Sequence, residues 1–149
     1  MLLPPAEHIS EDRMTDLQDR AELIDLVTKL NRWLDDGPAE AGSDIYTKDA
    51  VVNSPRGTAR GIDEILEYVS GNGSDAERTQ HFTSDIRIEA HGDSAEVTAN
   101  LLVSFYPADG EFPTALRLVG LRYAFEAVRT SVGWRFARAS ITPRWRREP

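Results

Sequence analysis

Residues 95–105 read Ala95-Glu96-Val97-Thr98-Ala99-Asn100-Leu101-Leu102-Val103-Ser104-Phe105, with an apolar side chain at every odd position. Side chains of a strand point alternately to its two faces, so this row predicts a strand with one face in a core. Upstream, His91-Gly92-Asp93 forms a hairpin turn back to a second alternating stretch, Thr79 to Ala90. Downstream, a loop from Pro107 to Pro113 leads to a long strand, Leu116 to Val128. Ser131 to Gly133 then turns the chain into a last strand, Trp134 to Ile141. The second half of the chain is therefore expected to be a mainly antiparallel sheet of hairpins.

The first half has a different period. Thr15 followed by Gln18 fits a capping box, and Leu17, Ala21, Ile24, Val27, Leu30 and Leu34 follow at helical spacing. Asp35-Asp36-Gly37-Pro38 ends that helix. A shorter helix is expected over Ala39 to Tyr46, and a short strand over Ala50 to Asn53. Pro55-Arg56-Gly57-Thr58 makes a turn, and a third helix follows from Ile62 to Val69, closed by the break Ser70-Gly71-Asn72-Gly73-Ser74. Helices on one side of an antiparallel sheet give an α+β fold. The expected boundaries are a flexible lead-in over 1–13, one domain over 14–145 and a short tail over 146–149.

Parity adds a second expectation. An unbroken strand over Thr79–Ala90 puts His81, Thr83 and Asp85 on one face, and Phe82, Ile86 and Ile88 on the other. The strand from Leu116 likewise divides Leu121, Tyr123 and Phe125 from Leu118, Ala124 and Val128. Only one face can pack on the chain's own helices, so the other is expected to be covered by a twin subunit.

Composition narrows the function. The chain has 149 residues, 40% hydrophobic and 28% charged, enough for one real core. Its 17 basic and 25 acidic residues give a formal charge of -8, and no basic stripe suits nucleic acid. Arg144, Arg146 and Arg147 form the one basic cluster and read as a solvated end. Cysteine is absent, so thiolate metal sites and disulfides are excluded. Met1-Leu2-Leu3-Pro4-Pro5 is too short and too proline-broken for a signal peptide, and no apolar run approaches a membrane span. The expected location is cytoplasmic, with neither nucleic acid nor membrane as partner.

Three stretches, taken in order, carry a resemblance: Leu34-Asp35-Asp36-Gly37; Tyr46-Thr47-Lys48-Asp49-Ala50-Val51-Val52 through Gly57 to Gly61-Ile62-Asp63-Glu64-Ile65; and Arg78-Thr79-Gln80-His81-Phe82. Gly120-Leu121-Arg122-Tyr123, Gly133-Trp134-Arg135-Phe136 and Arg144-Trp145 extend it. The chain resembles the SnoaL-like branch of the nuclear-transport-factor-2-like superfamily. That resemblance implies a cone-shaped α+β barrel, three helices on a strongly curved sheet around an apolar pocket, and dimerisation through the outer sheet face. It also implies cofactor-independent chemistry such as dehydration, dehydrohalogenation, isomerisation or polyketide cyclisation. Other members bind ligands without catalysis or act as protein-interaction modules.

By the same resemblance, His81 is a general base and Asp35 its orienting partner. The chemistry fits, because an imidazole titrates near neutral pH and a carboxylate on one ring nitrogen fixes its tautomer. The structural alternative is that His81 is a hydrogen-bonded core residue and Asp35 a helix end. Substrate contacts are expected from Tyr123, Leu34, Phe105 and Phe125, and the substrate is expected to be a small apolar or aromatic ring. Asp36, Asp85 and Arg129 are further residues whose place in the pocket the sequence leaves open. The chain departs from the dehydratase members in lacking a second pocket histidine near Phe105 and Tyr106. Their two pocket tyrosines correspond to Leu34 and Ser54, and their serine and asparagine to Leu121 and Tyr123. His8 and His91 join no site, no histidine pair has metal-ligand spacing, and neither a metal nor a cofactor is expected.

Overall fold

A computed structural model describes the backbone of residues 6–72 and 75–148. The elements run α1 (Ala6–Asp36), a 3₁₀ helix (Ala39–Asp44), β1 (Tyr46–Ser54), β2 (Gly57–Arg60), α2 (Ile62–Asn72), β3 (Glu77–His91), β4 (Ser94–Pro107), β5 (Arg117–Thr130) and β6 (Gly133–Arg147). The strands form one curved, open sheet in the order β2-β1-β6-β5-β4-β3. Every neighbouring pair is antiparallel except β1 and β6, which run parallel. The expected α+β architecture of three helices on a mainly antiparallel sheet is the one observed.

Several boundaries differ from the sequence reading. The first helix starts at Ala6, so it runs through the capping box at Thr15 and takes in most of the supposed lead-in. Residues 1–5 and the Gly73–Ser74 part of the expected break lie outside the described residues. Gly57–Arg60 continues beyond the turn as a strand paired back onto β1. The last strand runs on past Ile141, with Arg146 beside Val119 and Arg147 beside Leu118, so neither arginine belongs to a tail. Among the described residues, no helix is long and apolar enough to cross a membrane.

The buried stripe of α1 is also rotated from the expected one. Leu23, Leu26, Val27, Leu30 and Trp33 face the core, whereas Leu17 and Ile24 are exposed. On the sheet, Val97, Ala99, Leu101 and Val103 of β4 meet Tyr123, Phe125 and Ala127 of β5 and Phe136 and Ala139 of β6. Phe125 and Phe136 stack with ring centroids 4.0 Å apart, and Tyr123 leans on Phe125 at 4.7 Å. Large aromatics thus fill the middle of the sheet's concave face.

The expected parity of β3 fails at one residue. Asp85 adopts a left-handed backbone, φ 52°, and the pairing with β4 shifts register between Ser84 and Arg87. This β-bulge adds one residue to the strand and resets the alternation. Ile86 and Ile88 therefore face inward on the same side as His81 and Thr83, while Phe82 alone of that expected trio points out.

At the far end of the sheet, Asp19 of α1 is buried and accepts from both terminal nitrogens of Arg129 at 2.8 Å. It also accepts from the indole N–H of Trp134 at 3.2 Å. The Arg129 guanidinium lies 4.6 Å from the Trp134 ring centre and donates to Asp93 at 3.1 Å. This cluster pins the helix to the β5–β6 hairpin, and it places Arg129 in a structural contact away from the residues discussed next.

Candidate active site between helix α1 and strand β3

α1 packs along β3, so the last turns of the helix face the inward row of that strand. The two residues singled out by the sequence meet there. Asp35 Oδ1 lies 2.5 Å from His81 Nδ1, and Asp35 Oδ2 accepts from the His81 backbone N–H at 2.9 Å. Thr79, two residues earlier on the same row, donates its hydroxyl to Asp35 Oδ1 at 3.0 Å. Both side chains are largely shielded, with 12% of His81 and 11% of Asp35 exposed.

These contacts define the imidazole. An ionised carboxylate only accepts, so Nδ1 carries a proton, and in the neutral ring the lone pair is then on Nε2. Among the described residues, Nε2 has no hydrogen-bond partner. The same carboxylate binds the ring and the backbone of His81, which fixes the position of the ring as well as the proton on Nδ1.

A cleft of about 460 Å³ opens beside the pair, lined by Thr28, Asn31, Arg32, Asp36, Thr79, Gln80, Thr83 and Tyr106 together with Asp35 and His81. The lining is mostly polar, in contrast to the apolar cup expected. Asp36 belongs to this wall; Asp85 does not, being exposed at the bulge and bonded by Asn100 Nδ2 at 2.9 Å. Among the described residues, no group of three or more histidines or carboxylates is arranged to hold a metal ion.

None of the four expected substrate contacts lines this cleft. Phe125 is core, and Phe105 lies under the Arg117 guanidinium at 4.0 Å, which is itself paired with Glu77. Leu34 is half-buried against the core. Tyr123 is fully buried, and its hydroxyl donates to Asn31 Oδ1 at 3.1 Å. Burial pushes the Tyr123 phenol well above its usual pKa, with Tyr46 and Asp35 nearby adding to the effect. Ser54 of β1 and Tyr68 of α2 share a hydrogen bond outside this cleft, so a tyrosine hydroxyl stands beside the residue that the sequence reading matched to a family tyrosine.

The sequence reading missed Asn31. It stands one helical turn before Asp35, a spacing that puts both on one face. That spacing was the available signal, but it was hidden behind the apolar series on the same helix. Asn31 Nδ2 reaches Thr83 Oγ1 at 3.4 Å, so three elements, α1, β3 and β5, converge on it.

Comparison with known proteins agrees with this architecture. A hexachlorocyclohexane dehydrochlorinase of the LinA type from Novosphingobium barchaimii superposes with a TM-score of 0.79 at 18% identity, over 92% of this chain and 94% of that one. A putative scytalone dehydratase from Novosphingobium aromaticivorans gives 0.78 at 19% identity, over 92% and 91%. A nuclear transport factor 2-like protein from Salmonella enterica gives 0.74 at 14% identity, over 87% and 94%. At these identities the likeness is one of fold alone. No match is found among curated proteins. The SnoaL-like domain family matches residues 15–140, nearly the whole length, and the chain belongs to that family.

Proposed function

We propose that the protein is a cytoplasmic, cofactor-independent lyase or isomerase that uses His81 as base and Asp35 as its orienting partner. The observation that carries this reading is the imidazole held through Nδ1 at 2.5 Å, with Nε2 left unpaired among the described residues. His81 Nε2 takes a proton from carbon, and the C–H electron pair moves into the adjoining acceptor. Expulsion of a leaving group on the next carbon gives the lyase outcome, with the proton passing from His81 to that group or to solvent. Return of the proton to a different carbon gives isomerisation. Neighbours with dehydratase and dehydrochlorinase names support the class, and the polar cleft directs the choice toward a small substrate with hydrogen-bonding groups.

Small carbon acids incubated in D₂O with the protein test this directly. Proton NMR is expected to show enzyme-dependent exchange or elimination for at least one of them, falling about 10²–10⁴-fold in His81→Ala. Bound ligand with no exchange, or exchange untouched by His81→Ala, would assign the cleft to binding alone.

A homodimer through the outer sheet face belongs to the same proposal. Phe82, Leu102, Gly120 and Trp145 are successive cross-strand partners on that face. Phe82 is 48% and Trp145 53% exposed, and a side chain at Gly120 would meet the Trp145 indole at 2.3 Å. The row is flanked by a polar ladder in which Asn100 joins Asp85 and Arg122. An apolar stripe with a polar rim suits a self-complementary contact. Light scattering at micromolar concentration is expected to give twice the chain mass, and Phe82→Asp to halve it. A monomeric wild type would remove the dimer.

A further inference from the structure

The hydrogen bonds around Asn31 have a direction, and it starts from a residue that touches no solvent. The Tyr123 hydroxyl is fully buried and finds a single acceptor among the described residues, Asn31 Oδ1. A buried phenol O–H left without an acceptor is costly, so the carboxamide oxygen faces Tyr123. The amide NH₂ is then turned toward β3. One of its two protons goes to Thr83 Oγ1 at 3.4 Å, and the other has no acceptor among the described residues.

Thr83 inherits the same polarity. Its oxygen accepts from Asn31, so its own proton must donate elsewhere, and among the described residues no acceptor takes it. Thr83 and Asn31 both line the cleft beside His81, and Thr83 stands two residues from His81 on the same inward row. Arg32, the residue after Asn31, lines the cleft too, and its guanidinium makes neither an ion pair nor a hydrogen bond among the described residues. Asp36 is the exposed acidic member of that wall, while both oxygens of Asp35 are engaged by Thr79 and His81.

We infer that Asn31 Nδ2, Thr83 Oγ1 and the Arg32 guanidinium form an oxyanion subsite beside His81, polarised by Tyr123. It takes the carbonyl or carboxylate oxygen next to the carbon that His81 deprotonates. The inference rests on the proposed base role and names the substrate class for it: a small carbon acid activated by a neighbouring carbonyl group. When the C–H electron pair moves onto that oxygen, the negative charge arrives in a cleft lined by two neutral donors and one cation. Donors set in advance act on developing charge without reorganising. Tyr123 is a positioning residue here, since it reaches the cleft only through the amide it orients.

The test uses 4-nitrophenol, whose phenolate absorbs near 400 nm and mimics an enolate oxygen without any turnover. With excess protein, its apparent pKa is expected to fall by about one unit, a roughly tenfold preference for the anion. Thr83→Val and Tyr123→Phe, both close in shape to the native side chains, are each expected to lose at least threefold of that preference. His81→Gln is expected to keep it. No phenolate preference in the wild type, or one unchanged in both Thr83→Val and Tyr123→Phe, would overturn the subsite. A preference lost only in His81→Gln would also overturn it by assigning the anion to the imidazolium. A retained subsite with no exchange chemistry in the wild type would instead remove the base role, overturning the carbon-acid substrate class and leaving only an anion subsite.

Discussion

Asp35→Asn is expected to lower turnover about 10²–10⁴-fold while leaving the protein folded. The carboxylate accepts three hydrogen bonds, from Thr79, from the His81 backbone and from His81 Nδ1. An asparagine has one accepting oxygen and one donating NH₂, so it cannot serve all three donors. If its NH₂ faces the ring, the imidazole must place its proton on Nε2 and loses the lone pair proposed as the base. If its oxygen faces the ring, the NH₂ confronts the His81 backbone N–H. The first outcome removes the Nδ1–H tautomer and the second breaks the bond that holds the His81 backbone; ¹⁵N NMR of the ring will show which of the two occurs. Turnover within threefold of wild type, with an unaltered tautomer, would show that Asp35 is only a helix end.

The second large effect is on stability. Asp19→Ala is expected to cost about 2–4 kcal/mol, measured by urea unfolding at neutral pH. The variant leaves the buried Trp134 N–H without its acceptor and strips Arg129 of two hydrogen bonds. Arg129 is 34% exposed and keeps Asp93, so water screens part of its loss and the figure stays below that of a fully buried ion pair. The pH dependence has a definite sign. The Arg129 hydrogen bonds hold the Asp19 carboxyl below its ordinary 3.8, with the Trp134 indole adding to them and burial opposing them. A lowered folded pKa stabilises above the unfolded value and is lost on acidification. The gap between wild type and variant should therefore be full at neutral pH and close below about pH 4. A gap that stays constant to pH 2 would mean that Asp19 acts through packing alone.

Most of the fold could be read from alternation, because hairpins put sequence neighbours side by side and their turns carry local signals. The parallel pairing of β1 with β6 joins residues from opposite ends of the chain, and no local pattern announces it. β2 was hidden for a related reason: four residues are too few to show a period. The bulge at Asp85 has no clear signature either, since aspartate in a left-handed conformation depends on its partner strand. In the site, His81 and Asp35 were visible as residue types that suit one chemistry. Asn31, Thr79 and Thr83 were not, because a polar residue beside a histidine becomes informative only when register and helix phase place it. The apolar candidates Phe105 and Phe125 were chosen for their bulk, and bulk is what core packing also selects.

β3 is a free edge of the sheet fifteen residues long, and such an edge invites another chain to pair with it and so to aggregate. The backbone N–H of His81 would be one rung of that template, and Asp35 already occupies it. The bulge at Asp85 breaks the template a few residues further on, and the charged pair Arg87–Glu89 follows immediately. The carboxylate bound to the imidazole thus also blocks one rung of the edge strand that carries it. Losing Asp35 would free that rung as well as the imidazole.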